Sequence, residues 1–200
     1  MAEQKKRVPI EISPEGVLAY AWIYKKDTKF AKTEDDGRYK GSLIVDKDGP
    51  HAAWAMELHA IHVDKMEGSK KNSPVKDGDK MKDKDGKAKE DFANAWLVNF
   101  KSQYKPNVVD AKKRPLTGDV KVSSGDLVKI AFQRNEYDTG ATQGLSLRMA
   151  AIQVIDKRAG EGLGAAAAAA FGEEDGFETP EDAGGSSGDD EAPPAGNGDF

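Results

Sequence analysis

Apolar positions in this chain recur mostly at every second residue, the spacing of strands with one buried face. Gly16 to Tyr24 (GVLAYAWIY) is rich in β-branched and aromatic residues, and from Arg38 to Val45 (RYKGSLIV) Tyr39, Gly41, Leu43 and Val45 alternate with Lys40, Ser42 and Ile44. Three later segments carry the same signal: Ala95 to Tyr104, Asp126 to Tyr137 and Gly144 to Asp156. The last two join through DTGATQ as a hairpin. The period changes once. His51 to Glu67 follows Pro50, spaces Trp54, Leu58 and Ile61 along one helical face, and stops before Gly68. Between Ser69 and Lys89 nearly every residue is charged or turn-forming, which predicts an exposed, mobile loop.

Five short strands with a single helix among them predict a mainly β fold, a five-stranded antiparallel barrel with one inserted helix, because closure removes exposed strand edges. A β-sandwich is the other arrangement this pattern allows. The strand pattern stops near Arg158. From Gly160 onward the chain is largely Gly, Ala, Ser, Pro, Asp and Glu, with aromatics only at Phe171, Phe177 and Phe200, too little apolar surface to offset the entropy of ordering. The expected organisation is therefore a domain over residues 1–158 and a disordered acidic tail over 159–200. Ala165 to Ala170 is too short and too glycine-flanked for a stable helix.

Charge sharpens the picture. The overall formal charge is −5, but all 30 Lys and Arg lie at or before Arg158, against 24 of the 35 acidic residues. The body thus carries +6 and the tail −11, a split that points to a polyanion-binding body with a solvated acidic extension. No apolar run approaches the length needed to span a bilayer, and MAEQKKRVPIEI lacks the apolar core of a secretory signal, so a soluble cytosolic protein with no membrane partner is expected. The absence of cysteine removes disulfides and thiolate metal sites.

Within Asp126 to Tyr137, Val128, Ile130 and Phe132 form the core-facing side, leaving Lys129, Ala131, Gln133, Asn135 and Tyr137 on the other. Lysine for phosphates and a ring for base stacking on one strand face is the combination that single-strand binders use. In Ala95 to Tyr104 the same alternation turns Lys101 outward, and Tyr104 and Lys105 follow it as further candidate contacts. Arg134 and Arg148 also count as candidates, although strict alternation puts Arg134 with the core residues, which requires a bulge or a place beyond the barrel rim. Lys112, Lys113 and Arg114 form a second basic cluster. Any one of these residues taken singly reads as an ordinary solvated side chain; the joint placement points to binding.

Enzymatic readings have little to stand on. His59 and His62 are spaced to chelate on a helix, but no acidic partner completes a site, and they read as surface or half-buried histidines. Lysines interrupt the calcium-loop positions around Asp77, Asp79, Asp83 and Asp85. No nucleophile and base pairing or phosphate-cradling glycine loop is present. No metal or other cofactor is therefore expected, and the protein is read as not an enzyme.

Several segments together resemble the OB-fold single-stranded DNA-binding proteins of short-tailed coliphages and their relatives: AYAWIYKKDTKF followed by RYKGSLIV, then NFKSQYKPNVVDAKKRPL, then DLVKIAFQRNEYDTGATQGLSLRMAAIQVI, and an acidic C-terminus closing with GDF. The resemblance implies an OB barrel that binds single-stranded DNA without sequence preference in phage replication, recombination and repair, in the cytoplasm of an infected bacterium. It implies contacts from Lys129, Tyr137 and Lys101, with Lys5, Lys6, Arg38 and Lys40 in stretches where the family also places basic residues. It further implies a homodimer whose acidic tail, through Asp199 and Phe200, competes with DNA and recruits the replicative DNA polymerase and helicase-primase. The charged stretch Ser69 to Lys89 and the shorter, less acidic tail depart from the family pattern. Two alternatives stand beside this reading: a strand-annealing recombination mediator, and a β-barrel structural or interaction protein that does not bind nucleic acid.

Overall fold

A computed structural model of the chain describes residues 8–29, 31–65, 67–116 and 120–158. Eight strands form one sheet: β1 (Glu11–Ile12), β2 (Gly16–Asp27), β3 (Arg38–Asp46), β4 (Val75–Asp77), β5 (Ala95–Ser102), β6 (Asn107–Val109), β7 (Leu127–Asp138) and β8 (Gln143–Asp156). Five of them close a ring in the order β7-β2-β3-β5-β8, with β8 returning to β7. Four of the five contacts are antiparallel. The fifth, β5 with β8, is parallel and runs through Phe100 opposite Leu147 and Lys101 opposite Arg148. The ring is OB-like, and β1, β4 and β6 extend it at three places.

Inward-facing apolar residues fill the ring, among them the predicted core side of β7. Leu18, Ile23, Leu43, Phe100, Val128, Ile130, Phe132, Leu145, Leu147, Met149 and Ile152 are all buried, each worth about 2 kcal/mol on the usual scale of apolar burial. Phe132 packs edge-on against Phe100 with ring centroids 5.2 Å apart. The helix α1 (Ala52–Ala60) packs against this core by burying Ala55 and Leu58, and Trp54 meets Phe132 edge-on at 6.2 Å. Beyond Ala60 the helix widens into a π turn over Ile61–Lys65, so the predicted helical span is present in two geometries.

The expectation for Ser69 to Lys89 needs correcting, because this stretch is not an exposed loop throughout. Val75, the one large aliphatic residue in SPVKDGDK, is buried, and its strand β4 pairs with β5 from Val75 opposite Val98 to Asp77 opposite Trp96. The Lys47 ammonium, over the ring of Trp96 at 4.6 Å, bonds both Asp77 and Asp79 and so clips the insertion to the barrel. A Cβ at Gly78 would lie 2.1 Å from the carbonyl oxygen of Phe92, so only glycine permits this approach. The charges that made the stretch read as solvent-facing are partly spent on internal ion pairs.

His62 is buried and not merely half-covered. Its Nδ1 accepts the backbone N–H of Leu145 at 3.0 Å and therefore carries no proton, which leaves Nε2 to donate to the Ser69 carbonyl at 2.9 Å. The imidazole joins the end of the helical segment, the insertion and the start of β8. Gly144 stands against it at φ 154°, where a Cβ would be 2.4 Å from the ring.

Candidate nucleic-acid interface

Strand register, more than strand sequence, builds the site. Trp22 on β2 lies opposite Lys40 on β3, Lys40 opposite Lys101 on β5, Lys101 opposite Arg148 on β8, and Arg148 opposite Gln133 on β7. Opposed residues share a face, so one transverse row of the outer surface reads Trp, Lys, Lys, Arg, Gln across the whole ring. At the usual strand spacing the three cations fall within roughly 10 Å. Like charges set directly opposite one another destabilise a sheet, and here two such contacts are adjacent.

Two depressions follow this row. The larger, a cleft of about 540 Å³, lies between Tyr20 and Trp22 on one side and Tyr137, Leu145 and Ser146 on the other, with Ser73, Pro74, Lys76 and Met81 of the insertion lining it as well. A shallower one of about 300 Å³ is lined by Arg38, Tyr104, Asn135 and Arg148. Both share Lys101 and Ser146, so they run into each other as one groove.

The electrostatics of the groove are uneven. Lys40 is already matched by Asp27 at 2.8 Å, and that ion pair, chiefly through the hydrogen bond from Lys40, holds the Asp27 carboxyl below its ordinary value. Lys101 has no carboxylate partner among the described residues. Although its side chain is exposed to the groove, surrounding atoms strip enough water from it to lower its pKa below the ordinary lysine value, with Arg38 and Lys40 adding repulsion. A phosphate bound beside it would offset both effects with opposite charge. Arg148 lies over the ring of Tyr104 at 5.1 Å, and Tyr104 is the most exposed large hydrophobic residue of those described, at 66%.

Of the residues singled out in the sequence, Lys101, Tyr137, Tyr104, Arg148, Arg38 and Lys40 come together here. The others do not. Lys129 shares the outward side of β7 with Tyr137 but is eight residues away, roughly 26 Å along an extended strand, and stands 3.9 Å from Glu15. Arg134 continues the inward side of β7 past the core, where it bonds Glu11 of β1 and Glu57 of α1 at 2.9 and 3.0 Å. It is a staple beyond the barrel rim. Lys105 sits 5.7 Å from the centroid of Tyr24 and lines neither depression. Arg114 is held by Asp110 at 2.6 Å in the turn after β6, with Lys112 and Lys113 exposed beside it. Lys5, Lys6, Asp199 and Phe200 lie outside the described residues.

Sequence reasoning missed Tyr20, Trp22 and the insertion. The rings at 20, 22 and 24 alternate with Ala21 and Ile23, and all three are more than a third exposed, a signal that was present in AYAWIY. Among the described residues no group of three His, Asp or Glu could hold a metal ion, and no helix is long and apolar enough to cross a membrane.

An outer barrel face carrying cations in register between rings defines the class of single-strand binders built on OB-like barrels. The comparisons agree. The family model described as the ssDNA-binding protein of Enterobacter phage Enc34 matches residues 17–185, and the chain belongs to that family. The family is one of DNA-binding proteins and not of enzymes. In structure the chain is similar to the single-stranded DNA-binding protein of bacteriophage Enc34 in complex with ssDNA, with a TM-score of 0.56 and 14% identity over 74% of this chain and 86% of that one. It is also similar to gp2.5, a single-stranded DNA-binding protein encoded by bacteriophage T7, with a TM-score of 0.51 and 19% identity over 87% of this chain and all of that one. A search of curated proteins gives no match.

Proposed function

We propose that this protein coats single-stranded DNA in phage replication, recombination and repair, taking the strand into the groove described above. The observation that carries the reading is the row of Lys40, Lys101 and Arg148 in register across β3, β5 and β8, with Trp22 and Tyr137 at its flanks. Cations serve phosphates and rings serve bases, and neither depends on base identity. Sequence-independent binding follows.

The segregated charge supports a further part of the proposal. Residues 159–200 carry −11 against +6 for the body, so a tethered tail competes for the groove at high effective concentration and yields to DNA, whose charge is denser. Once displaced, the tail recruits the replicative DNA polymerase and helicase-primase, with Asp199 and Phe200 as its docking end, and the working unit is a homodimer. This part rests on charge and on family resemblance.

Fluorescence titration with oligothymidine, mixed-sequence single strands and duplex of equal length tests the reading. Tight binding to both single strands and much weaker binding to duplex is the expected result, with tighter binding still when residues 160–200 are deleted. Equal affinity for duplex and single strand rejects it.

A further inference from the structure

The insertion and the outer face of β2 hold a group of residues at the margin of the groove whose contacts extend beyond it. Tyr20 is 39% exposed and its backbone sits at φ 52°, a left-handed conformation that an aromatic residue adopts only under constraint. The pairing of β2 with β3 carries one extra residue on β2 between Ala19 and Trp22, so Leu18 and Ile23 both face the core while Tyr20 and Trp22 face solvent. The Tyr20 ring rests on Phe92, just past the insertion, with centroids 5.5 Å apart. Lys89, also of the insertion, donates to the Tyr20 hydroxyl at 3.0 Å and stands 5.3 Å from the centre of its ring. Tyr20, Trp22 and Met81 line the end of the larger cleft, so the groove opens onto this pair of rings without a break.

We infer that Tyr20, backed by Phe92, is a second base-stacking station and that Lys89 is its phosphate contact, so that the insertion lengthens the DNA path beyond the barrel groove. The inference rests on the reading of the groove as a single-strand site. An exposed ring supported from behind by a buried one is a rigid shelf, the form of surface on which a base stacks without regard to its identity. In the free protein Lys89 is held at the hydroxyl end of the ring, which leaves the exposed face open to a base. A passing phosphate offers the ammonium a full charge in place of a hydroxyl, so Lys89 turns to the backbone of the strand whose base stacks beside it. A pinning role for the same contacts, in which Lys89 and Tyr20 only fasten the insertion to β2, predicts altered stability with unaltered binding.

The full chain with Tyr20→Ala, Tyr20→Phe and Lys89→Ala distinguishes the two. Titration of each with poly(dT), followed by tryptophan fluorescence, gives the affinity and the number of nucleotides covered per protein. Tyr20→Ala is expected to weaken binding by about five- to a hundredfold, the range for loss of one stacked base, and to shorten the footprint, while Tyr20→Phe retains both. Lys89→Ala is expected to lower the slope of log affinity against log salt by about 0.7, as one phosphate contact fewer requires. Affinity, footprint and slope all matching the parent overturn the inference, and so does a lowered melting temperature with parental binding. If Tyr20→Ala does not fold, Lys89→Ala decides alone. A parent chain that fails to bind poly(dT) instead rejects the groove itself, a result separate from either of these.

Discussion

Replacing Lys101 by Gln should make the protein more stable and a poorer DNA binder at once. In the folded state Lys101 is flanked in register by Lys40 and Arg148, and its pKa is lowered by loss of water, by Arg38 and by Lys40. Like charges directly opposite on a sheet cost on the order of 0.2–1 kcal/mol per pair, but Asp27 offsets much of the contact with Lys40. The net relief is about 0.5–1 kcal/mol, which at about 2–4 °C per kcal/mol for a domain of this size raises the melting temperature by roughly 1–4 °C. Binding moves the other way. Arg38, Lys101 and Arg148 line the groove without an ion pair to a described carboxylate, and three phosphate contacts at about 0.7 each give a salt slope near 2, or about a twentyfold loss of affinity between 50 and 200 mM salt. With Lys101 gone the loss falls to about sevenfold. Calorimetry and oligothymidine titrations at several salt concentrations read both effects. A melting temperature unchanged or lowered, together with parallel salt lines, would refute the reasoning that the row is kept at a cost to stability for the sake of phosphate.

Three other outcomes follow from the geometry. Tyr137→Ala should lose about 1–3 kcal/mol of binding to oligothymidine, while Lys129→Ala and the triple change of Lys112, Lys113 and Arg114 to Ala should leave affinity nearly unchanged; the reverse ranking in the same titration places the site at the other end of β7. Gly144→Ala should destabilise the fold by several kcal/mol, because the new Cβ would meet the His62 ring at 2.4 Å in a backbone conformation that already disfavours a side chain; a parental chemical denaturation midpoint counts against the pin between the helical segment and β8. The His59 pKa is lowered, by burial first and then by His62, Lys70 and Lys76 against the opposing pull of Asp64, so below the ordinary histidine value the unfolded chain binds the proton more readily. Stability should therefore fall as pH drops through that value, and His59→Gln should flatten the fall in melting curves from pH 7.5 to 5.5; equal curves remove His59 as a source.

Period-two alternation made β3, β5 and β7 legible in advance, because burial on one face dictates side-chain type at each step; β2 was legible only from its β-branched and aromatic content, since its irregular pairing breaks the alternation. Leu43 and Val45, or Val128, Ile130 and Phe132, announce both strand and inward face. Two things were not legible. The docking of Ser69 to Lys89 depends on one valine, one glycine and an ion pair between Lys47 and residues some 30 positions away, and composition cannot anticipate a partner so distant. Register was the other. Nothing in RYKGSLIV, NFKSQY or GLSLRM states that Lys40, Lys101 and Arg148 stand abreast, since pairing is fixed by core packing on the opposite face of each strand. The same limit explains Lys129: alternation gives its face correctly, but not its distance along β7 from the other strands' cations.

The indifference to base identity proposed for the groove has a physical source in its hydrogen bonds. Reading a base requires donors and acceptors left unspent until the base arrives. Here Ser42 Oγ donates to Asn99 Oδ1 at 2.7 Å, Asn99 Nδ2 donates to the Pro74 carbonyl at 3.0 Å, and Ser73 Oγ is shared between His59 and the N–H of Val75. Ser146 Oγ bonds the carbonyl of Asn135 at 3.2 Å. These polar groups satisfy one another across β3, β5, the insertion and the hairpin, so they hold the walls in place and offer little to a base edge. What remains for the ligand is the phosphate-directed charge of Arg38, Lys101 and Arg148 and the faces of Trp22, Tyr104 and Tyr137. Charge and ring faces discriminate poorly among the four bases, so the internal hydrogen bonding that rigidifies the groove also removes the means by which it would acquire sequence preference.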